Sequence, residues 1–278
     1  MTQNSSPVSV IAILGGGVMG GAIVAGACNA GWPSGQVRVA DRSEETLTKH
    51  RQELGVETFT SLAQAVTDAD VVVFAVKPQD AAAALADFAS HVKPGALFLT
   101  VAAGLPAAFY EKHLPAGTPV VRAMPNTPAL LGFGATGIAP GTHATDEHLE
   151  LAERVLSATG LVVRVEEKQI NAVAAVSGSG PAYFFAFVEA MTDAGVAEGL
   201  PRALAAKLAA QTLVGAGRLL ESSDVGPGEL RARVSSKGGT TLAALAAMEK
   251  AGLQTAVAVG LAAADKRAEE LSRELAGQ

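Results

Sequence analysis

The chain has 278 residues, enough for two domains on a rough prior of ~150 residues each, and enough to bury a core without disulfide or metal staples. Hydrophobic residues make up 49% but aromatics only 4%, so Ala, Val and Leu must fill the interior, and a disordered or collagen-like chain is excluded. A net charge of −6 with no Lys/Arg run argues against a nucleic-acid partner, and a single cysteine, Cys28, excludes an internal disulfide or a multi-cysteine zinc site.

No charged side chain precedes Arg38. A signal peptide needs a basic start, and the apolar run is broken by Gly15, Gly16, Gly17, Gly20 and Gly21. The run is a poor membrane span and a good strand-turn-helix. The expectation is a cytoplasmic protein with no membrane partner.

In chain order, residues 8–14, 37–40, 71–76, 96–101 and 119–122 read as strands, with 44–54, 62–66 and 80–89 as helices between them. The apolar run behind Asp70 is what a strand covered on both faces requires. Strands alternating with helices predict a doubly wound parallel sheet of Rossmann type, closed by an edge strand at 162–165. Beyond Glu167 the strand signal fades, and 183–197, 203–220, 241–250 and 254–275 read as helices. The predicted domains are therefore 1–166, an α/β dinucleotide-binding unit, and 167–278, all helical. Residues 203–216 and 256–264 are apolar around much of each helix, more than one surface stripe needs. This predicts a homodimer through the second domain.

Gly15, Gly17 and Gly20 form G-x-G-x-x-G between the first strand and a helix. The first glycine allows the tight turn, the second lets the backbone approach a pyrophosphate, and the third lets helix pack on strand. The helix start at Val18 and Met19 offers amide N–H groups and partial positive charge. Asp41, at the end of the second strand, suits the adenosine ribose hydroxyls and favours NAD; Arg42 beside it suits a 2′-phosphate and favours NADP. A plain strand-end Asp helping to cap the helix at Ser43 is the alternative for Asp41. Ala75, Lys77 and Pro78 fall at the carboxyl edge of the third predicted strand, where open α/β sheets bind ligands, and Asn126 lies in a Pro-rich loop on the same edge.

The helical domain holds two Gly-rich loops, 177–183 (Ser-Gly-Ser-Gly-Pro-Ala-Tyr) and 235–241 (Ser-Ser-Lys-Gly-Gly-Thr-Thr). Each feeds a helix, as an amide nest for a carboxylate does, and as simple Ser/Thr capping also does. There is no G-x-S-x-G, G-x-x-x-x-G-K-[ST] or H-E-x-x-H motif, and no metal site is expected. The histidines His50, His91, His113, His143 and His148 all precede the helical domain, at helix or loop positions where a surface role is the default.

Together, Gly15 to Gly20, Ala75 to Pro78, Met124 to Pro128, Ser177 to Tyr183 and the stretch from Leu230 to Lys250 resemble the Δ1-pyrroline-5-carboxylate reductase family, in the same order along nearly the whole chain. The most specific part is Val234-Ser235-Ser236-Lys237-Gly238-Gly239-Thr240-Thr241 with the helix after it. The resemblance implies reduction of a cyclic C=N bond to L-proline with NADP or NAD as the reduced hydride donor. It implies that Ser236, Gly239, Thr240 and Thr241 hold the substrate carboxylate, that Thr241 serves the ring nitrogen, and that dimers can form a ring of five. Lys237, where other relatives carry Pro, adds a cation beside that carboxylate. Two rival readings remain. A β-hydroxyacid dehydrogenase wants G-x-G-x-x-x-K-x-x-x-N, whereas Lys168 and Asn171 here are three apart and lack the glycines. A non-catalytic dinucleotide sensor leaves both loops of the second domain unexplained.

Overall fold

The computed structural model describes residues 10–276. Its first strand, β1 (Ile11–Leu14), sends Ile11 and Ile13 to one face and Ala12 and Leu14 to the other, and all four are buried. Then follow α1 (Val18–Asn29), β2 (Val37–Ala40), α2 (Glu44–Leu54), β3 (Glu57–Phe59), α3 (Leu62–Val66), β4 (Val71–Phe74) and α4 (Ala81–Phe88). The chain continues through β5 (Leu97–Thr100), α5 (Ala107–His113), β6 (Val120–Met124), β7 (Gly134–Pro140), α6 (Asp146–Leu156), β8 (Gly160–Arg164) and α7 (Ile170–Val173). In the sheet the order is β3-β2-β1-β4-β5-β6-β7-β8, with only β6 and β7 antiparallel.

One face of the sheet is covered by Ile23 and Val24 of α1, Leu47 of α2 and Val155 of α6. The other is covered by Val66 of α3, Leu85 and Phe88 of α4 and Tyr110 of α5. The aromatics of the sheet unit concentrate on this second face, where Phe74, Phe88, Phe98 and Tyr110 pack together and the rings of Phe98 and Tyr110 lie 5.4 Å apart. Burial pushes the Tyr110 phenol up to about 12, so it packs there as a neutral group.

The doubly wound expectation holds. The strand expected at 8–14 is described from Ile11, and Val8 and Ser9 lie outside the described residues. The strand expected at 71–76 ends at Phe74, because the chain turns away into the 3₁₀ turn Pro78–Asp80. Two strands escaped the sequence reading. β3 has only three residues and an exposed start, and β7 begins on Gly134, is interrupted by Gly137 and ends on Pro140. Those glycines answer close neighbours: a Cβ at Gly134 would lie 2.7 Å from the Thr159 carbonyl, and one at Gly137 would lie 2.9 Å from Val173 Cγ1.

The chain divides into two compact units, one reaching Gly178 and including the chain from Ala264, the other Ser179–Ala263. The second unit is wholly helical, with α8 (Gly180–Ala197), α9 (Arg202–Glu221), α10 (Pro227–Arg233), α11 (Thr240–Lys250) and the start of α12 (Leu253–Ala276). Gly195 lets α8 approach α9 closely, since a Cβ there would be 3.3 Å from that of Ala205. Few residues of this unit are buried, Thr192, Ala205 and Ala209 among them, while Phe184, Phe185, Leu208, Val257 and Val259 are exposed. Among the described residues no single helix is long and apolar enough to cross a membrane; α11 and α12 pass that test only as a pair bent by 51°.

Candidate active site

β1 has neighbours on both sides, β2 and β4, and the chain leaves it in opposite directions to reach them. Open α/β sheets bind ligands at the carboxyl ends of the strands flanking such a point. The glycine turn, Asp41 and Ala75 all sit there, after β1, β2 and β4 respectively.

Gly15 takes φ +97, a conformation that side chains rarely adopt, and a Cβ on it would lie 2.6 Å from the Ala75 carbonyl. A Cβ on Gly20 would collide with the Gly15 carbonyl, so the third glycine lets α1 start against the turn. In front of Gly17 the space is open, with nothing within 4 Å of an added Cβ. Gly17 is the N-cap of α1 and no side chain caps its first turn. The Val18 and Met19 amides therefore begin the helix behind an open cradle, which fits the pyrophosphate of a dinucleotide.

Asp41 does more than either sequence reading assigned. Its Oδ2 accepts from the Gly16 amide at 2.7 Å and its Oδ1 from the Ser43 amide at 2.9 Å. Ser43 then caps α2 by accepting from Thr46 N at 3.2 Å. Asp41 thus ties the glycine turn to the start of α2. Arg42 is exposed and pairs with Asp80 at 3.2 Å, joining the rims of β2 and β4. Lys77 is exposed as well, immediately before Pro78 opens the 3₁₀ turn.

His50 departs from its surface reading. It is 7% exposed, and its Nε2 lies 2.8 Å from the Gly16 carbonyl. A signal was present: Leu47, His50 and Leu54 recur at the spacing of the buried face of α2, with His50 in a place an apolar residue would take.

Asn126 is buried with both ends of its carboxamide engaged: Oδ1 accepts from the Ala135 amide at 2.9 Å, and Nδ2 donates to the Ser177 carbonyl at 3.0 Å. It braces the rim at β7 and at Ser177. The Gly-rich segment at 177–183 opens a helix as expected, α8 from Gly180 with Pro181 in its first turn, but it is entered through a π-helical turn, Ala174–Gly178, rather than a loop. Ser177 donates its hydroxyl to the Val173 carbonyl at 3.0 Å, and Gly178 makes room for Met124, whose Cε would lie 2.7 Å from an added Cβ.

In the second unit, Gly239 N donates to the Ser236 carbonyl at 2.9 Å, closing a turn that holds Lys237 and Gly238, with Gly238 at φ +73. The cap of α11 is Gly239, with no side-chain hydrogen bond to the first turn. Simple Ser/Thr capping is therefore not what this loop does. The Thr240 and Thr241 amides and hydroxyls start a helix beside an exposed Lys237, an arrangement suited to a carboxylate. No group of three or more His, Cys, Asp or Glu side chains able to hold a metal occurs among the described residues.

Residues 167–271 match the family model described as pyrroline-5-carboxylate reductase dimerisation, and 10–104 match one described as NADP oxidoreductase, coenzyme F420-dependent. The chain is 44% identical over 266 residues to a pyrroline-5-carboxylate reductase of Pseudomonas aeruginosa, covering 95% of this chain and 97% of that protein. Among solved structures, a pyrroline-5-carboxylate reductase from Coxiella burnetii superposes with a TM-score of 0.90 at 38% identity, over 95% of this chain and 99% of that one. The Plasmodium falciparum pyrroline carboxylate reductase with NADP bound gives 0.81 at 26% identity, over 95% and 98%. With a glycine cradle at the switch point and an uncapped Gly-Thr-Thr helix start in the same chain, these full-length matches agree: the chain belongs to the pyrroline-5-carboxylate reductase family.

Proposed function

We propose that this protein reduces the C=N bond of L-1-pyrroline-5-carboxylate to L-proline with NADPH or NADH, the last step of proline biosynthesis. The observation that carries this is 44% identity across 97% of a relative named for that activity. When bound, the reduced nicotinamide supplies the hydride for the C=N carbon. Gly15, Gly17, Val18, Met19 and Gly20 hold the pyrophosphate, Asp41 and Arg42 face the adenosine ribose, and Ala75, Lys77 and Pro78 form the adjoining rim. Asn126, assigned from sequence to the cofactor, shapes that rim through Ala135 and Ser177.

Ser236, Gly239, Thr240 and Thr241 bind the substrate carboxylate. The Thr241 hydroxyl holds the ring nitrogen, accepting from an iminium N–H before reduction and donating to the amine lone pair formed by it. An iminium is already electrophilic, so no stronger acid is needed. The purified protein should oxidise NADPH or NADH with pyrroline-5-carboxylate and do little with open-chain 2-oxo acids. Cofactor binding without turnover of any cyclic imine would remove the reductase reading and leave a dinucleotide sensor.

Cofactor choice rests on the β2 rim. Arg42→Ala should lower kcat/KM for NADPH by about threefold to tenfold, with a smaller effect on NADH, because an exposed guanidinium contributes one charge-assisted bond. Asp41→Ser should shift the ratio towards NADPH while weakening both cofactors, since Gly16 loses its acceptor. If both variants keep the parent NADPH/NADH ratio, the 2′-phosphate is read elsewhere.

The working assembly is a homodimer through the helical domain, able to extend to a ring of five dimers. Supporting it are the dimerisation match from residue 167 and the exposed Phe184, Phe185, Leu208, Val257 and Val259. That starting residue also supports placing the functional division at Glu166. Light scattering should report at least a dimer at low micromolar concentration, and a stable, active monomer would overturn this. With its acidic charge and single cysteine, the protein fits a reducing cytoplasm.

A further inference from the structure

We propose that His50 is a positioning residue for the dinucleotide: its buried imidazole holds the Gly16 carbonyl so that the Gly17 amide faces the pyrophosphate. This rests on the reading of the glycine turn as the cofactor cradle. A carbonyl only accepts, so the ring nitrogen 2.8 Å from Gly16 O, Nε2, carries the proton. The Gly16 C=O and the Gly17 N–H belong to one trans peptide plane and point in opposite directions. Drawing the carbonyl inward, towards α2, therefore turns the Gly17 N–H outward. Gly17 is exposed, and the space in front of it is open.

The preceding peptide is held independently. Asp41 Oδ2 accepts from the Gly16 amide at 2.7 Å, so both peptide planes flanking Gly16 are clamped by side chains that follow β2. Two glycines outside the G-x-G-x-x-G pattern make room for the ring. A Cβ on Gly16 would lie 3.2 Å from His50 Cδ2, and one on Gly21 would lie 3.2 Å from His50 Cε1. An imidazole 7% exposed and wedged between these glycines has no route to the substrate. It acts through the peptide it holds.

Two variants separate the hydrogen bond from the volume. His50→Gln retains an N–H donor, and His50→Met matches glutamine in size and flexibility without one. Titration calorimetry of the full-length protein with NADP+ and NAD+ reads binding without turnover. His50→Met should raise Kd for both dinucleotides about tenfold, by the same factor because they share the pyrophosphate, and His50→Gln should stay within about threefold of the parent. Parent-like binding by the methionine variant, equal weakening in both variants, or unequal effects on the two dinucleotides would overturn the proposal while leaving the cofactor reading intact. A parent that binds neither dinucleotide would overturn the cofactor reading itself. Should the methionine variant fail to fold, the parent decides: NADP+ should shift the Gly17 amide resonance and slow its hydrogen exchange. A Gly17 amide that NADP+ leaves unchanged would refute the role.

Discussion

Gly20→Ala should destabilise the sheet domain and abolish dinucleotide binding, whereas Gly17→Ala should leave folding untouched. The two positions lie three residues apart in one motif yet face opposite constraints. A Cβ at Gly20 meets the carbonyl oxygen of Gly15, a backbone atom that no rotamer change can move aside. Overpacking typically costs about 1–3 kcal/mol, and a backbone collision belongs at or above the top of that range. For a domain of this size that lowers Tm by roughly 6–12 °C at about 2–4 °C per kcal/mol. Relief requires α1 to retreat from the turn, which also takes its first amides away from the pyrophosphate. At Gly17 the added methyl enters open space, and its backbone is extended at φ −66. Its penalty should appear only as a raised Kd for NADPH and NADH, as the methyl takes up room in front of the amides. Thermal melts and cofactor titrations on both variants check this. An unchanged Tm for Gly20→Ala would mean that the turn adjusts more freely than its backbone contacts indicate.

Thr241→Ala should lower kcat about tenfold or more with folding retained, and Thr241→Ser should keep much of the activity. Thr241 is the second residue of α11, past its Gly239 cap, so its hydroxyl is not the helix cap. Alanine has the higher helix propensity, so truncation should not weaken the helix. An effect on kcat can then be assigned to the reaction. Serine keeps the hydroxyl with more rotamer freedom and should lose only part of the positioning. Steady-state kinetics with a melt on each variant separate the outcomes, and an unchanged kcat for Thr241→Ala would remove Thr241 from the chemistry.

Local pattern carried much of this in the sequence. The helix at 44–54 and the strand at 37–40 were legible to the residue, because a Ser cap, a Gly stop and a β-branched run are short-range signals. The G-x-G-x-x-G spacing located the cradle because two of its requirements are local, the positive φ of Gly15 and the approach of Gly20 to the Gly15 carbonyl. β7 was not legible: its glycines answer Thr159 and Val173, which the sequence does not place beside it. The site's polar residues behave likewise. From sequence, Asp41 offered a ribose contact or a helix cap, Asn126 a cofactor contact and His50 a surface ring. Tertiary structure decided that Asp41 holds Gly16, that Asn126 is engaged by Ala135 and Ser177, and that His50 is buried against the glycine turn. Periodicity tells which face of an element is apolar. What a buried polar atom bonds to depends on chain segments that only folding brings within about 3 Å, because most such atoms take whatever partner the fold supplies.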